Sequence, residues 1–385
     1  MRVALFTETF LPKIDGVVTR IVRTLDQLSA LGHQVIVFAP EYREGENIQS
    51  YQGFPVLRLK SIPFKPWYPE LRLGMPSPKI YSEIKRFAPD VVHAVNPFIM
   101  GAWGTVAAMQ FDLPLIASFH TDLRQYAERL NVQFLIAPGE VLVRNVHNTA
   151  QINLTTSRPM VRTAQAMGIK RIRVWPKAVD SNVFHPRNKS RAMREILSQG
   201  HPEKPLLLCV GRLSHEKRVS WLLEPARRLD VRLAIVGGGP AEKELRRAFA
   251  GTPTFFAGYL KGRDLQEAYA SVDVFAFPSD TETLGFVAME SMASGVPVVG
   301  ANAGGIPEVI QDGWNGLMFA PEDQEEFSTQ LERLVSDAEL RERLGRQARS
   351  DMEACGWEES TKRLIEYYTT AIRAHRRWTQ TEVVA

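Results

Sequence analysis

Two cations, Arg212 and Lys217, stand five positions apart in LLLCVGRLSHEK, directly after an apolar run. Fixed positive charges at the carboxyl end of a strand suit a diphosphate, whose charge as a leaving group they would neutralise. Two carboxylates, Glu282 and Glu290, lie eight positions apart in PSDTETLGFVAMESMASGVPVVG (278–300). Between them Thr283, Leu284 and Gly285 join a strand to the helical stretch FVAMESMAS. The amides of a helix start cradle phosphate with the help of the dipole, and Gly285 permits close approach. Glu290, about a turn into that helix, can accept paired hydrogen bonds from ribose hydroxyls, and Glu282 can accept one from a sugar hydroxyl. Each residue taken singly also fits a solvated surface. Joined by GGIPEVI (304–310), they make a set that casual surface placement does not account for.

Further loops add to this set. Gly237, Gly238 and Gly239 follow the run VRLAIV and bring backbone near a ligand, without the spacing of a dinucleotide fingerprint. Leu260, in AGYLKGRDL, can hold a nucleobase through main-chain bonds, a plain turn being the alternative. Near the N-terminus, FLPKIDGVVTR puts Gly16 at a helix start, flanked by Lys13 and Asp15. His120 in SFHTDLRQY, and His93 with Asn96 in DVVHAVN, are expected past strand ends facing a shared cleft, a structural role being the usual alternative for each. No Asp-x-Asp pair follows a strand in a metal-binding position, so no metal or resident cofactor is expected.

The elements needed to position these residues alternate along the chain. VALFTE (3–8), QVIVFAP (34–40), DVVHAV (90–95), LPLIASFH (113–120) and QINLTTS (151–157) predict buried strands. Between the first two, Val18, Ile21, Val22, Leu25 and Leu28 recur at helical spacing. The pattern restarts with strands over 205–212, 231–240, 252–260, 272–279 and 296–301. Nearly continuous apolar strands alternating with helices imply parallel sheets covered on both faces. The polar, Pro- and Asn-rich stretches 179–190 and 198–205 predict a linker. The expected organisation is two doubly wound, Rossmann-like α/β domains facing a cleft, 1–185 and 186–357, then a helix over 358–378 and a frayed tail, 379–385.

Composition bounds the function class. The 385 residues are 44% hydrophobic and 23% charged, ordinary for a globular protein of two or three domains. No apolar run approaches a membrane span, and the first one is too short for a signal peptide. Cys209 and Cys355 make no disulfide framework, which fits a cytoplasmic protein. The net charge of +4 conceals +9 over residues 1–190 and −5 over the remainder. A basic half suits an anionic partner, and no nucleic-acid-binding signature accompanies it.

GRLSHEK, the Glu282-to-Glu290 pair, GVPVVGANAGGIPEVI and FTETFLPKIDGVVTR together resemble the retaining glycosyltransferases of family 4 over nearly the whole chain. That resemblance implies the two-domain GT-B fold, an acceptor-binding first domain, a nucleotide-sugar-binding second domain and a last helix crossing back to the first. It implies that Arg212 and Lys217 hold the diphosphate, Glu290 the ribose and Glu282 the donor sugar. Gly16 would lie against the phosphate and His120 beside the transferred sugar. Within the family the chain is similar to the sulfoquinovosyltransferases of sulfolipid synthesis, which implies UDP-sulfoquinovose as donor and diacylglycerol as acceptor. Lipid mannosyl- or glucosyltransferases using GDP-mannose or UDP-glucose are the neighbouring reading.

A buried sulfonate needs a cation or several donors; Lys13, Arg124 and Arg144 are candidate cations, an interface-structural role being the alternative for each. A diacylglycerol acceptor implies peripheral contact with an anionic membrane, on the inner face of the cytoplasmic membrane. Trp67, Tyr68, Phe134 and Leu135 are candidates for shallow insertion, ordinary core packing being the alternative. No carboxylate of the first domain reads as a nucleophile, which favours front-face substitution with the departing diphosphate taking the acceptor's proton. A non-catalytic nucleotide-sugar-binding protein and a nucleotide-sugar epimerase are the rival classes.

Overall fold

A computed structural model describes residues 1–13, 15–42, 47–65, 68–96, 98–120 and 136–382. The chain forms two compact units, one of Met1–Pro176 with Trp357–Ala385 and one of Lys177–Gly356.

The first unit contains β1 (Arg2–Thr7), β2 (Gln34–Pro40), β3 (Ser50–Tyr51), β4 (Phe54–Leu59), β5 (Ser61–Phe64), β6 (Tyr68–Gly74), β7 (Val91–Val95), β8 (Leu115–Phe119), β9 (Ile152–Thr155) and β10 (Ile172–Val174). Its main sheet runs β10-β9-β8-β7-β1-β2-β4-β3, parallel except for β3, while β5 and β6 pair separately. Val3 and Leu5 enter one core, and Ala4 and Phe6 the other. This period-2 division between two apolar layers is why the strand reads as a continuous apolar run. The long helix Trp357–Glu382 adds Leu364, Tyr368 and Ala371 to the Val3 core, one face of a helical repeat.

The second unit contains β11 (Leu206–Val210), β12 (Arg232–Val236), β13 (Thr254–Gly258), β14 (Val274–Phe277), β15 (Val298–Ala301) and β16 (Leu317–Phe319). Its sheet is wholly parallel, in the order β13-β12-β11-β14-β15-β16. Leu206 and Leu208 face one core, Leu207 and Cys209 the other. Strand order reverses between β1 and β7 in the first unit and between β11 and β14 in the second. Ligands of doubly wound sheets bind beyond the strand ends at such points.

Three expectations need correction. The units divide at Pro176/Lys177 and not at 185/186. The expected linker is packed into the second unit: Arg349 donates to the carbonyls of Ser181, Phe184 and Ala293, and Val179 N–H to Cys355. Arg194, in helix Arg191–Leu197, pairs with Asp273 at 2.8 Å and donates to the carbonyls of Pro202, Lys204 and Ser271. Polar composition marked surface here, and these guanidinium clamps hold it in place. The last helix reaches Glu382, past the expected fraying point at 379. Strands β3, β4, β5, β6, β10 and β16 were not foreseen; β3 spans two residues and β10 and β16 three each, too few to show a period.

Candidate active site

The loops after β11 and β14 meet at the second unit's reversal point. Lys217, in the short turn His215–Lys217, places Nζ 2.5 Å from Glu282 Oε1. Ser279 Oγ donates to the same oxygen at 3.0 Å. Arg218, with φ +50°, directs its guanidinium 2.8 Å from Asp280 and stacks it 4.7 Å from the Trp221 ring centre. Two ion pairs therefore tie the loops together. Arg218 and Asp280 were absent from the sequence-derived set, although Lys217-Arg218 and Asp280-x-Glu282 carry opposite charges in tandem. Arg212 lies two positions beyond the end of β11, after Gly211. Burial pushes the Glu216 carboxyl up, but the Ser214 hydroxyl, its own amide, Arg212 and Lys217 hold it below its usual range.

Gly285, with φ +83°, caps the helix Phe286–Ala293. The first bonds of that helix come from the amides of Ala288 and Met289 to the Gly285 carbonyl, so the Phe286 and Val287 amides precede the ladder. Thr283 lies half-buried beside Gly285, while the Leu284 side chain is buried in the core, leaving its backbone to face the loop. Glu290 accepts from the buried Tyr269 hydroxyl at 2.9 Å. Tyr269 packs in the core on helix Gly262–Ala270 and aims this carboxylate, a role that no local spacing announces.

The glycines after β12 also have a packing role. A Cβ on Gly237 would lie 1.9 Å from the Gly211 carbonyl oxygen, one on Gly239 2.4 Å from that of Leu213, and one on Gly238 2.7 Å from the Tyr259 ring. These glycines press loop against loop, which only a residue without a Cβ allows. Leu260 follows β13, with its side chain against the core. Gly304 and Gly305 likewise abut the backbone of Glu282 and Thr283, and Gly305 N–H bonds the Glu282 carbonyl at 2.7 Å.

In the first unit the candidates separate. Asp15 caps helix Gly16–Ala30 by accepting from Val18 N–H at 2.9 Å, and Lys13 lies 3.5 Å from its carboxylate. Gly16 opens that helix and is exposed. Asn96, with φ +49°, accepts from His120 N–H at 2.9 Å and so holds the end of β8. His120 is buried; burial, with Arg20, His93 and His147 nearby, holds its imidazole well below the usual range. His93 does not lie past its strand. It sits in the middle of β7, wholly buried, because β7 extends to Val95, and it cannot touch an acceptor directly. Arg144 is exposed on helix Ile136–Thr149 beside Val141 and Leu142. Arg124, Trp67, Phe134, Leu135 and the Tyr68 side chain lie outside the described residues.

Two residues at this sheet end were missed. Arg20 is buried, stacks 4.5 Å from the Trp175 ring centre and donates to the Pro176 carbonyl. Glu8 follows β1 and accepts from the amides of Met100 and Gly101 at 2.6 and 3.3 Å. The break that Thr7-Glu8-Thr9 makes in an apolar run was its signal.

Burial pushes the Glu8 carboxyl from 4.5 up to about 8, against the pull of those amides. The folded chain thus holds a proton that the unfolded chain releases, and stability falls as pH rises from about 4.5 to about 8. Glu8→Gln, isosteric with the protonated acid, is expected to remove this slope. Its melting temperature should match the wild type near pH 4.5 and exceed it at pH 8.5. Parallel melting curves at every pH would refute the assignment.

Residues 14–183 match the family described as Glycosyltransferase Family 4, and residues 194–351 that described as Glycosyl transferases group 1. Over 381 residues the chain is 38% identical to the sulfoquinovosyl transferase SQD2 of Arabidopsis thaliana, covering 96% of this chain and 74% of that protein. The chain belongs to glycosyltransferase family 4. This glycosyltransferase is also 33% identical to a GDP-mannose-dependent alpha-mannosyltransferase of Corynebacterium glutamicum, over 98% of this chain and 91% of that one. It is 25% identical to the alpha-monoglucosyldiacylglycerol synthase of Streptococcus pneumoniae, over 97% and 86%. Its fold is GT-B. Sucrose-phosphate synthase from Thermosynechococcus elongatus superposes with TM-score 0.80 at 19% identity, covering 97% of this chain and 99% of that chain. Anabaena HepE in complex with UDP-glucose does so with TM-score 0.77 at 18% identity, covering 96% and 100%. Among the described residues no helix of the glycosyltransferase is long and apolar enough to cross a membrane.

Proposed function

We propose that this glycosyltransferase moves sulfoquinovose from UDP-sulfoquinovose to diacylglycerol, with retention at the anomeric carbon. The observation that carries the donor site is the meeting of Lys217, Ser279 and Glu282 at the second unit's reversal point, beside the Gly285 helix start and the Tyr269-held Glu290. Lys217 has three hydrogens, so it can keep Glu282 and still donate to diphosphate oxygens. Both donors to Glu282 fall on Oε1, and on this reading Oε2 accepts from a sugar hydroxyl. Arg212, Lys217 and the amides before Ala288 stabilise the departing diphosphate, whose oxygen takes the acceptor's proton as the new glycosidic bond forms. His120 stands beside the transferred sugar.

Two facts support the specific donor and acceptor: near full-length similarity to a sulfoquinovosyl transferase, and the +9 charge of residues 1–190, which suits a sulfonate and an anionic lipid surface. On this reading the enzyme associates peripherally with the membrane. The second reading, transfer of mannose from GDP-mannose to a lipid, rests on the 33% identity to the mannosyltransferase.

A ligand that binds only the folded protein raises its melting temperature. UDP is expected to stabilise the enzyme more than GDP, and UDP-sulfoquinovose with diacylglycerol vesicles should give UDP and a sulfonated glycolipid. Stabilisation by GDP alone, with mannosyl transfer, would replace the first reading by the second.

A further inference from the structure

A line of buried hydrogen bonds joins the last helix to the carboxyl end of β8. The Tyr368 hydroxyl lies 2.8 Å from His93 Nδ1. His93 Nε2 lies 3.0 Å from Ser118 Oγ, and the same oxygen lies 2.9 Å from His120 Nε2. Trp175 packs against both imidazoles, with ring centres 5.7 and 5.8 Å away. Tyr368, His93 and Ser118 are wholly buried, so water cannot complete their bonding.

Hydrogen counting then sets the direction of the line. Among the described residues the Tyr368 hydroxyl has one hydrogen-bond partner, His93 Nδ1. A buried donor without an acceptor is costly, so the phenol hydrogen points to Nδ1. His93 is neutral, because burial pushes it down to about 3, and its single hydrogen is therefore on Nε2. That hydrogen goes to Ser118 Oγ. Ser118, having accepted, donates its own hydrogen to His120 Nε2. A neutral His120 with Nε2 so occupied carries its hydrogen on Nδ1.

We propose that Tyr368, His93 and Ser118 are positioning residues that lock His120 as its Nδ1–H tautomer, so that it meets the substrate as a fixed hydrogen-bond donor and not as a base. This rests on the placement of His120 beside the transferred sugar. No proton enters or leaves the line; it orders the ring before substrate arrives, which is how a donor contributes without reorganisation. The opposite direction would strand the phenol hydrogen in the core. Free imidazole gives no such assurance, since either nitrogen can hold the hydrogen.

The test uses the full chain labelled with 15N-histidine and two-bond 1H–15N spectra near neutral pH, the His120 signals being assigned by their loss in His120→Ala. The expected result is an Nδ1–H tautomer for His120 and an Nε2–H tautomer for His93. Tyr368→Phe and Ser118→Ala should convert the His120 pattern to a mixture or to Nε2–H. Both should lower kcat about tenfold, the worth of one well-placed hydrogen bond, with donor KM within about twofold. An Nε2–H or doubly protonated His120 in the wild type overturns the proposal, as does an Nδ1–H tautomer unmoved by both variants. Full turnover by His120→Ala overturns instead the placement at the sugar, and the wild-type spectrum separates that failure from the other.

Discussion

Lys217→Ala is expected to lower kcat about 10- to 100-fold with the UDP-sugar donor, the change that follows from losing one charge-assisted contact of about 1.5–3 kcal/mol. Lys217 lies on a surface turn about one-quarter exposed, so its removal should leave the melting temperature nearly unchanged. The loss should fall on kcat more than on donor KM, because the diphosphate gains negative charge as the glycosidic bond breaks. A second effect adds to it: without Lys217, the Glu282 carboxylate faces the departing anion with only Ser279 as donor. Lys217→Arg restores the charge and should recover part of the rate. Steady-state UDP release measures both variants, and undiminished turnover by Lys217→Ala would sink the proposed role.

Gly305→Ala is expected to cost at least about 100-fold in turnover, through geometry and not charge. Gly305 has φ −88° and ψ −7°, a conformation alanine adopts freely, so space alone decides the outcome. Its Cβ would lie 2.2 Å from the Thr283 carbonyl oxygen, 2.6 Å from its carbon and 2.9 Å from Leu284 N. All three are backbone atoms, which no rotamer change can move aside. The segment Glu282–Leu284 must therefore shift, taking Glu282 from Lys217 and displacing the Gly285 cap. A displacement of about 1 Å at a reacting centre is enough for a loss of that size. Overpacking should also lower stability by about 1–3 kcal/mol. Gly356→Ala, where a Cβ meets nothing within 4 Å, is the control and should be nearly neutral in both assays. Turnover of Gly305→Ala close to that of the control would mean that the loop after β14 has no part in donor binding.

Much of the framework around the candidate site was readable in the sequence, and the reason lies in what local sequence encodes. Alternating apolar strands and helices specified two doubly wound parallel sheets, since a strand covered on both faces must be apolar throughout. The same logic located the loops after β11, β14 and β15. It failed where an element is too short to show a period, as in β16, and where polar residues are clamped rather than solvated, as around Arg194 and Arg349.

Taken by itself, the chain's order of residues determined two doubly wound sheets and the loops that carry charge and glycine, which follow from periodicity and local backbone demands, while its motifs carried the resemblance to the family. Tertiary structure alone decided which groups meet: Lys217 with Glu282, Arg218 with Asp280, Tyr269 with Glu290, and Tyr368 with His93 across 275 positions. Those pairings depend on strand order and on which distant faces bury against each other. Spacing along a chain does not encode that, because hydrophobic burial favours any apolar neighbour and only the packed sheet selects one.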